Sequence, residues 1–273
     1  MKKRCSESGT ILVTGGTSGL GLELVRLFLD KGYFVIATGR QSVSLESCGG
    51  KLRFYLVDFS NLGQTASVIS QICENFELDV VVNNAGILSP PGFTETDDGY
   101  EYTYQVNFLA HLLVNEIVIR QHDYSRPLKI AAVTSLAYRV LAPELNASGY
   151  YSDYKPFRAY SDSKLYLALM CRHFSVKYQD REISTLSFDP GVFGSRIYRM
   201  QPGWFRILYH IGAPFLRRPA SSARILAELL TGSGFVNGAV YDVRKKIRKL
   251  PELEPSAEKT FWKETGRKIE PFL

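Results

Sequence analysis

Cysteine is scarce in this 273-residue chain, with Cys5, Cys48, Cys73 and Cys171 scattered and no Cys-x-x-Cys pair among them. That argues against a structural zinc site or a disulfide framework, and for a reducing, cytoplasmic setting. Long hydrophobic runs are also missing. No stretch approaches the roughly 18 consecutive apolar residues of a spanning helix. Met1-Lys2-Lys3-Arg4 is basic, but Cys5 to Gly9 supply no apolar core for a secretory signal. Internal repeats, low-complexity tracts and linkers are absent, which points to one domain over 1–273. The sequon Asn146-Ala147-Ser148 has no use inside a cell and reads as chance.

What is present fits an ordinary globular protein: 45% hydrophobic and 22% charged residues with a net charge of +6. A chain of this length can bury about three quarters of the surface it exposes when unfolded. The basic residues are dispersed, so no nucleic-acid partner is expected. The one dense run, Arg244 to Lys249, reads as part of a solvated tail. A basic surface would still attract an anionic cofactor at long range.

Short β-rich apolar runs alternate with helical patterns. The strands are expected at Thr10–Thr14, Tyr33–Thr38, Arg53–Val57, Asp79–Asn83, Lys129–Thr134, Ile183–Phe188 and Ala239–Val243. Runs such as Ile11-Leu12-Val13 and Val80-Val81-Val82 suit strands covered on both faces. Leu20, Leu24, Leu27 and Phe28 share one helical face, with Gly32 placed to end that helix. Ser60 is placed to cap the next helix, whose apolar positions are Leu62, Ala66, Ile69, Cys73 and Phe76. The alternation predicts an α/β fold: a single Rossmann-type, doubly wound parallel sheet of about seven strands with helices on both faces.

The first strand runs into Thr14-Gly15-Gly16-Thr17-Ser18-Gly19-Leu20-Gly21 and then straight into a helix. Glycines at such a turn let backbone approach a pyrophosphate, and the helix N-terminus offers free N–H groups and a positive dipole end. A free ribose diol would want an Asp or Glu after the second strand. The chain has Ala37-Thr38-Gly39-Arg40 instead, and Arg40 offers a planar charged fork for a 2′-phosphate, so NADP(H) is the expected cofactor. Asp58, beside Phe59, could bond an adenine amino group or help cap the following helix. Asn83 and Asn84, ahead of Ala85-Gly86, read equally as ligands or as structural hydrogen-bonders. Ser135 follows the fifth strand, and Tyr160 and Lys164 lie four apart at the start of a long helical pattern, on one face. An ammonium beside a phenol favours the phenolate and makes it a usable acid/base near neutral pH.

The set Thr14–Gly21, Asn83–Gly86, Asn107, Ser135, Tyr160/Lys164 and Pro190-Gly191 resembles the short-chain dehydrogenase/reductase family, in order and spacing, from residue 10 to about 245. Leu56–Leu62, the tyrosine-rich stretch between Ser135 and Tyr160, Asn237-Gly238 and the tail around Trp262 resemble its retinol-dehydrogenase-like members. The resemblance implies an oxidoreductase with Tyr160 as acid/base, Ser135 steadying the substrate oxygen, Lys164 acting on Tyr160 and the nicotinamide ribose, and Asn107 holding a relay water. It places the cofactor on Gly15, Thr17, Ser18, Gly19, Leu20, Gly21, Arg40, Asp58, Phe59, Asn84, Ala85, Gly86, Tyr160, Lys164, Pro190, Gly191, Val192 and Ser195. Ser195 stands near where a threonine is usual; its hydroxyl can do the same work.

These motifs divide the chain into a nucleotide-binding half (about 10–130), a catalytic half (about 131–245), a lid (about 192–218) and a C-terminal tail (246–273). Trp204, Leu208, Ile211 and Phe215 share a helical face, which fits a lid over a lipophilic substrate, core packing or a peripheral membrane contact. The expected substrate is a lipophilic carbonyl or alcohol, no metal is expected, and a homo-oligomer stays open. Two rival functions share the scaffold. A nucleotide-sugar epimerase or dehydratase usually carries more chain after the Pro-Gly motif. A regulatory cofactor-binding protein could spare any of Asn107, Ser135, Tyr160 and Lys164, yet all four are present.

Overall fold

A computed structural model describes residues 6–41, 50–191, 218–232 and 234–273. The described strands form one eight-stranded sheet in the order β3-β2-β1-β4-β5-β6-β7-β8. The strands are β1 (Thr10–Val13), β2 (Phe34–Gly39), β3 (Leu52–Leu56), β4 (Val80–Asn83), β5 (Leu128–Val133), β6 (Ile183–Phe188), β7 (Ala239–Tyr241) and β8 (Ile247–Arg248). Seven run parallel and β8 alone is antiparallel, paired with β7. The seven parallel strands are those expected from the sequence, each within two residues at either end. The eighth was not foreseen.

Alternation along each strand assigns its side chains to two cores. Ile11, Val13, Val35, Ala37, Val80 and Val82 face helices α1 (Gly19–Asp30) and α6 (Pro219–Thr231). Leu12, Ile36, Val81 and Ile130 face the other layer. That layer holds α2 (Leu62–Asn75), α4 (Ala110–Gln121) and α5 (Pro156–Lys177). Burial on both faces is what made these strands read as continuous apolar runs. Gly32 ends α1 as expected, with φ of 85°, a conformation that costs a side-chain-bearing residue more.

Two expectations are corrected. The cap of α2 is Asn61, whose Oδ1 accepts from Gln64 N at 2.7 Å; Ser60 instead donates from N and Oγ to Asp58 Oδ1, at 3.0 and 2.8 Å. The C-terminal segment, expected only as a tail, carries a packed helix. Helix α7 (Pro255–Ile269) buries Phe261 and Ile269, and Phe261 packs on Phe108 and Tyr166 with ring centroids 5.7 and 4.8 Å away. The basic run Arg244 to Lys249 is mostly exposed, as expected. It nonetheless forms a hairpin around buried Asp242, which accepts from Arg244 N and Lys246 N and pairs with Arg248.

Candidate active site

Strand order reverses at β1, with β2 on one side and β4 on the other. In sheets of this kind ligands bind outside the carboxyl ends of the strands at that reversal. The glycine turn leaves β1 there, and Asn84-Ala85-Gly86 leaves β4 there. The two loops are sewn together by Thr14, whose Oγ1 accepts from Asn84 N (2.9 Å) and Ala85 N (3.0 Å). Asn84 Nδ2 donates back to the carbonyls of Thr14 (2.8 Å) and Gly15 (3.2 Å). Asn83 is buried and donates to Asn115 Oδ1 at 3.1 Å. Both asparagine side chains therefore act as structural hydrogen-bonders.

Close approach explains two of the glycines. Gly15 has φ of 64°, and a Cβ on it would lie 2.8 Å from Ala85 Cα. A Cβ on Gly21 would lie 2.3 Å from Gly15 O and 2.4 Å from Asn84 Nδ2. Side chains at either position would push the loops apart.

The residues around this crevice suit an anionic dinucleotide. Helix α1 begins at Gly19 with no side-chain cap from Ser18 and no acid in its first turn, so its N–H donors and positive end face no built-in anion. Thr17 packs beside Gly39 at the end of β2. Next comes Arg40, exposed and without an ion pair among the described residues. Asp58 Oδ1 accepts from Ser60 N and Oγ at 3.0 and 2.8 Å, next to the Asn61 cap rather than in it. Leu20 and Phe59 are buried, so their side chains belong to the core and only backbone remains for a ligand.

On the catalytic side, β5 delivers Ser135 at the start of a short 3₁₀ turn (Leu136–Arg139), where its Oγ accepts from Ala137 N at 3.2 Å. Helix α5 is strapped to that strand end. Thr134 Oγ1 donates to Lys164 O (2.6 Å), Lys164 Nζ donates to Val133 O (3.0 Å), and Ser161 Oγ donates to Ala137 O (3.3 Å). Lys164 Nζ lies 5.9 Å from the centroid of the half-buried Tyr160 ring. Lys164 is 3% exposed and pairs with no carboxylate among the described residues. Burial alone lowers its ammonium to about 8.

Asn107 lies in a π-helical turn, Gln105–Leu109, between α3 (Tyr102–Tyr104) and α4. Single π turns are frequent at functional sites. Its side chain spans the crevice: Oδ1 accepts from Ile87 N (2.8 Å), and Nδ2 donates to Ile87 O and Ser163 Oγ, both at 3.0 Å. Gly86 brings the β4 loop against this assembly, since a Cβ there would lie 3.2 Å from Asn107 Oδ1 and 3.3 Å from Lys164 Nζ. The Asn107 carbonyl accepts from His111 Nδ1 at 2.9 Å. Sequence reasoning missed His111, although polar residues recur four apart at 107, 111 and 115 within a largely apolar stretch.

At the far end, Gly191 has φ of 70° and donates to Asp189 Oδ1 (3.2 Å), while Pro190 O accepts from Ser222 Oγ (2.9 Å). Val192, Ser195 and the Trp204–Phe215 segment lie outside the described residues. Between Ser135 and Tyr160, the tyrosine-rich stretch walls a cavity of about 460 Å³ with Leu141, Tyr150, Tyr151, Phe157 and Arg158. Among the described residues no helix is long and apolar enough to cross a membrane, and no His/Cys/Asp/Glu group could hold a metal ion.

A reversed parallel sheet with a glycine turn at the reversal defines a dinucleotide-binding α/β protein. The model of the short-chain dehydrogenase family matches residues 9–202, and the chain belongs to that family of oxidoreductases. Retinol dehydrogenase 12 from Homo sapiens is 25% identical over 224 residues, covering 78% of this chain and 70% of the relative. For the retinol dehydrogenases 14 the covered share of the relative is 66%. Pseudomonas aeruginosa RhlG, in an NADP complex, aligns with a TM-score of 0.64 at 21% identity, over 86% of this chain and 94% of that one. A 3-ketoacyl-(acyl-carrier-protein) reductase from Brucella melitensis, complexed with NADH, aligns at 0.67 and 18% identity, over 86% and 96%. At these identities the structures speak for the fold.

Proposed function

We propose that this enzyme interconverts a carbonyl and an alcohol on a lipophilic small molecule with NADP(H), Tyr160 exchanging the proton. The observation that carries the reading is Lys164. A buried ammonium without a carboxylate is costly, and it sits one helical turn from a half-buried phenol, beside the crevice where the strand order reverses.

Gly15, Thr17, Ser18, Gly19, Leu20 and Gly21 would hold the pyrophosphate, Arg40 the 2′-phosphate, Asp58 and Phe59 the adenine side. Asn84, Ala85 and Gly86 would back the ribose and nicotinamide, with Tyr160, Lys164, Pro190, Gly191, Val192 and Ser195 completing the site. When bound, the nicotinamide supplies or takes up the hydride. In the reductive direction the Tyr160 hydroxyl gives its proton to the carbonyl oxygen as negative charge develops there. Ser135 donates a hydrogen bond to that oxygen, stabilising charge where the transition state carries it. The Lys164 ammonium stabilises the phenolate left behind. Asn107 holds the loop after β4 against α5, and its carbonyl has a second lone pair for a relay water. The names of the retinol dehydrogenase relatives favour a lipophilic substrate.

The test is a panel of aromatic, alicyclic and polyene carbonyls, all-trans-retinal among them, followed by NADPH absorbance. Tyr160→Phe removes one oxygen and keeps the ring, so turnover should fall by roughly 10²–10⁴-fold. NADPH affinity should stay within about threefold, under 1 kcal/mol. A Tyr160→Phe variant that binds NADPH normally and keeps its turnover would mean another group supplies the proton.

A further inference from the structure

His111 is wholly buried on α4, and the catalytic reading above gives it no part. Its ring nevertheless touches both halves of the site. Nδ1 lies 2.9 Å from the Asn107 carbonyl, and Nε2 lies 3.1 Å from Thr14 Oγ1, a residue 97 positions earlier in the chain. The edge of the ring meets Phe59, with centroids 5.1 Å apart.

The donor count fixes the state of this imidazole. A carbonyl only accepts, so Nδ1 must carry the proton. Nε2 is then an acceptor, and the Thr14 hydroxyl proton points to it. Thr14 has two lone pairs, and both are taken by the N–H groups of Asn84 and Ala85. Every site on the two groups is then used, and the contact of Thr14 Oγ1 with His111 Nε2 (3.1 Å) is shorter than its 3.3 Å approach to Val82 O. Burial, helped by the Lys164 charge and opposed by the bond to the Asn107 carbonyl, holds His111 down at about 3, so the ring is neutral.

We infer that His111 is a positioning residue: a neutral imidazole that ties the glycine turn and the β4 loop, through Thr14, to the Asn107 carbonyl and so sets the register of the proton-transfer residues. The chain of bonds runs from Asn84 and Ala85 N–H through Thr14, His111 and the Asn107 backbone. It continues through Asn107 Nδ2 to Ser163 Oγ, which itself donates to Tyr160 O at 2.7 Å. Seating of the dinucleotide at the turn is thereby coupled to the helix turn carrying Tyr160. This rests on the oxidoreductase reading only for its kinetic consequence; the tie itself is independent of any substrate.

The test has two arms on the full chain. In the first, ¹⁵N-histidine labelling reads the imidazole directly, with His111→Phe assigning its signals among the four histidines. A neutral ring protonated at Nδ1, unchanged across the neutral pH range with and without NADPH, is expected. A ring that titrates there, or one protonated at Nε2, overturns the proposal whether or not any carbonyl is reduced. In the second arm, all-trans-retinal is the probe. His111→Phe should lower kcat at least tenfold, with KM and NADPH affinity (by nicotinamide fluorescence) nearly unchanged. His111→Gln, whose amide can donate to Asn107 O and accept from Thr14, should recover most of the loss. Wild-type kcat in His111→Phe, or no recovery in a folded His111→Gln, overturns it. Failure of the underlying reading shows separately, as undiminished turnover in Tyr160→Phe; the first arm then still decides the tie.

Discussion

Burial holds the Lys164 ammonium at about 8 rather than 10.5, and no carboxylate among the described residues offsets it. Its pKa in the folded chain is below the unfolded value. Between about pH 8 and 10.5 the unfolded chain therefore binds more protons, and stability rises with pH in that window. Below pH 8 the full cost of the buried charge is present. Lys164→Met should therefore stabilise the cofactor-free protein at neutral pH by up to about 3 kcal/mol and flatten the alkaline rise. The same change should abolish turnover and weaken NADPH binding. Urea denaturation across that pH range measures the first effect, and a destabilised variant with an unchanged pH slope would mean that the lysine is structural. The position was legible from the four-residue spacing to Tyr160. Its isolation from carboxylates was not, because that depends on what the other strands and helices bring near.

Helix α7 is held by packing more than by its ion pair. Arg172 and Glu258 lie 2.8 Å apart and are partly exposed, an arrangement worth at most about 1 kcal/mol. Phe261, by contrast, is 2% exposed against Phe108 and Tyr166, and Trp262 stacks on His173 with centroids 4.4 Å apart. Phe261→Ala should cost about 3–5 kcal/mol of stability, the range for emptying a buried aromatic position. A loss under about 1 kcal/mol in urea titration would mean that the helix is not docked as described. Phe108 follows Asn107 in the π-helical turn, so the helix buttresses the site from behind. From sequence this segment reads only as a tail, since its apolar residues are few and their partners lie on α4 and α5. The cap of α2 falls at Asn61 rather than Ser60 for a similar reason: Asp58 recruits Ser60 and leaves Asn61 to meet Gln64 N.

For the molecule as a whole, cofactor binding and stability are one equilibrium. NADPH at a hundred times its dissociation constant should stabilise the protein by about 2.7 kcal/mol. NADH at the same concentration should do far less, because Arg40 stands where a diol-binding acid would be needed. Arg40→Ala should erode the preference by roughly 1.5–3 kcal/mol, the range for a hydrogen bond to a charged group. Thermal shifts with each cofactor decide this. Equal shifts in the unmutated protein would sink the NADP(H) assignment.

The sequence by itself determined the alternation of seven parallel strands with helices, the end of α1 at Gly32, and the positions of the glycine turn, Ser135, Tyr160 and Lys164. These are signals of local period and short spacing, and they survive without knowledge of any neighbour. Only the tertiary structure decided that Asn83 and Asn84 spend their side chains on Asn115, Thr14 and Gly15. It alone added β8 around Asp242, docked α7, and joined Thr14 to Asn107 through His111. Each of those rests on a buried polar or aromatic contact between distant segments. Such contacts have no period, and they are specified by where the sheet places its strand ends.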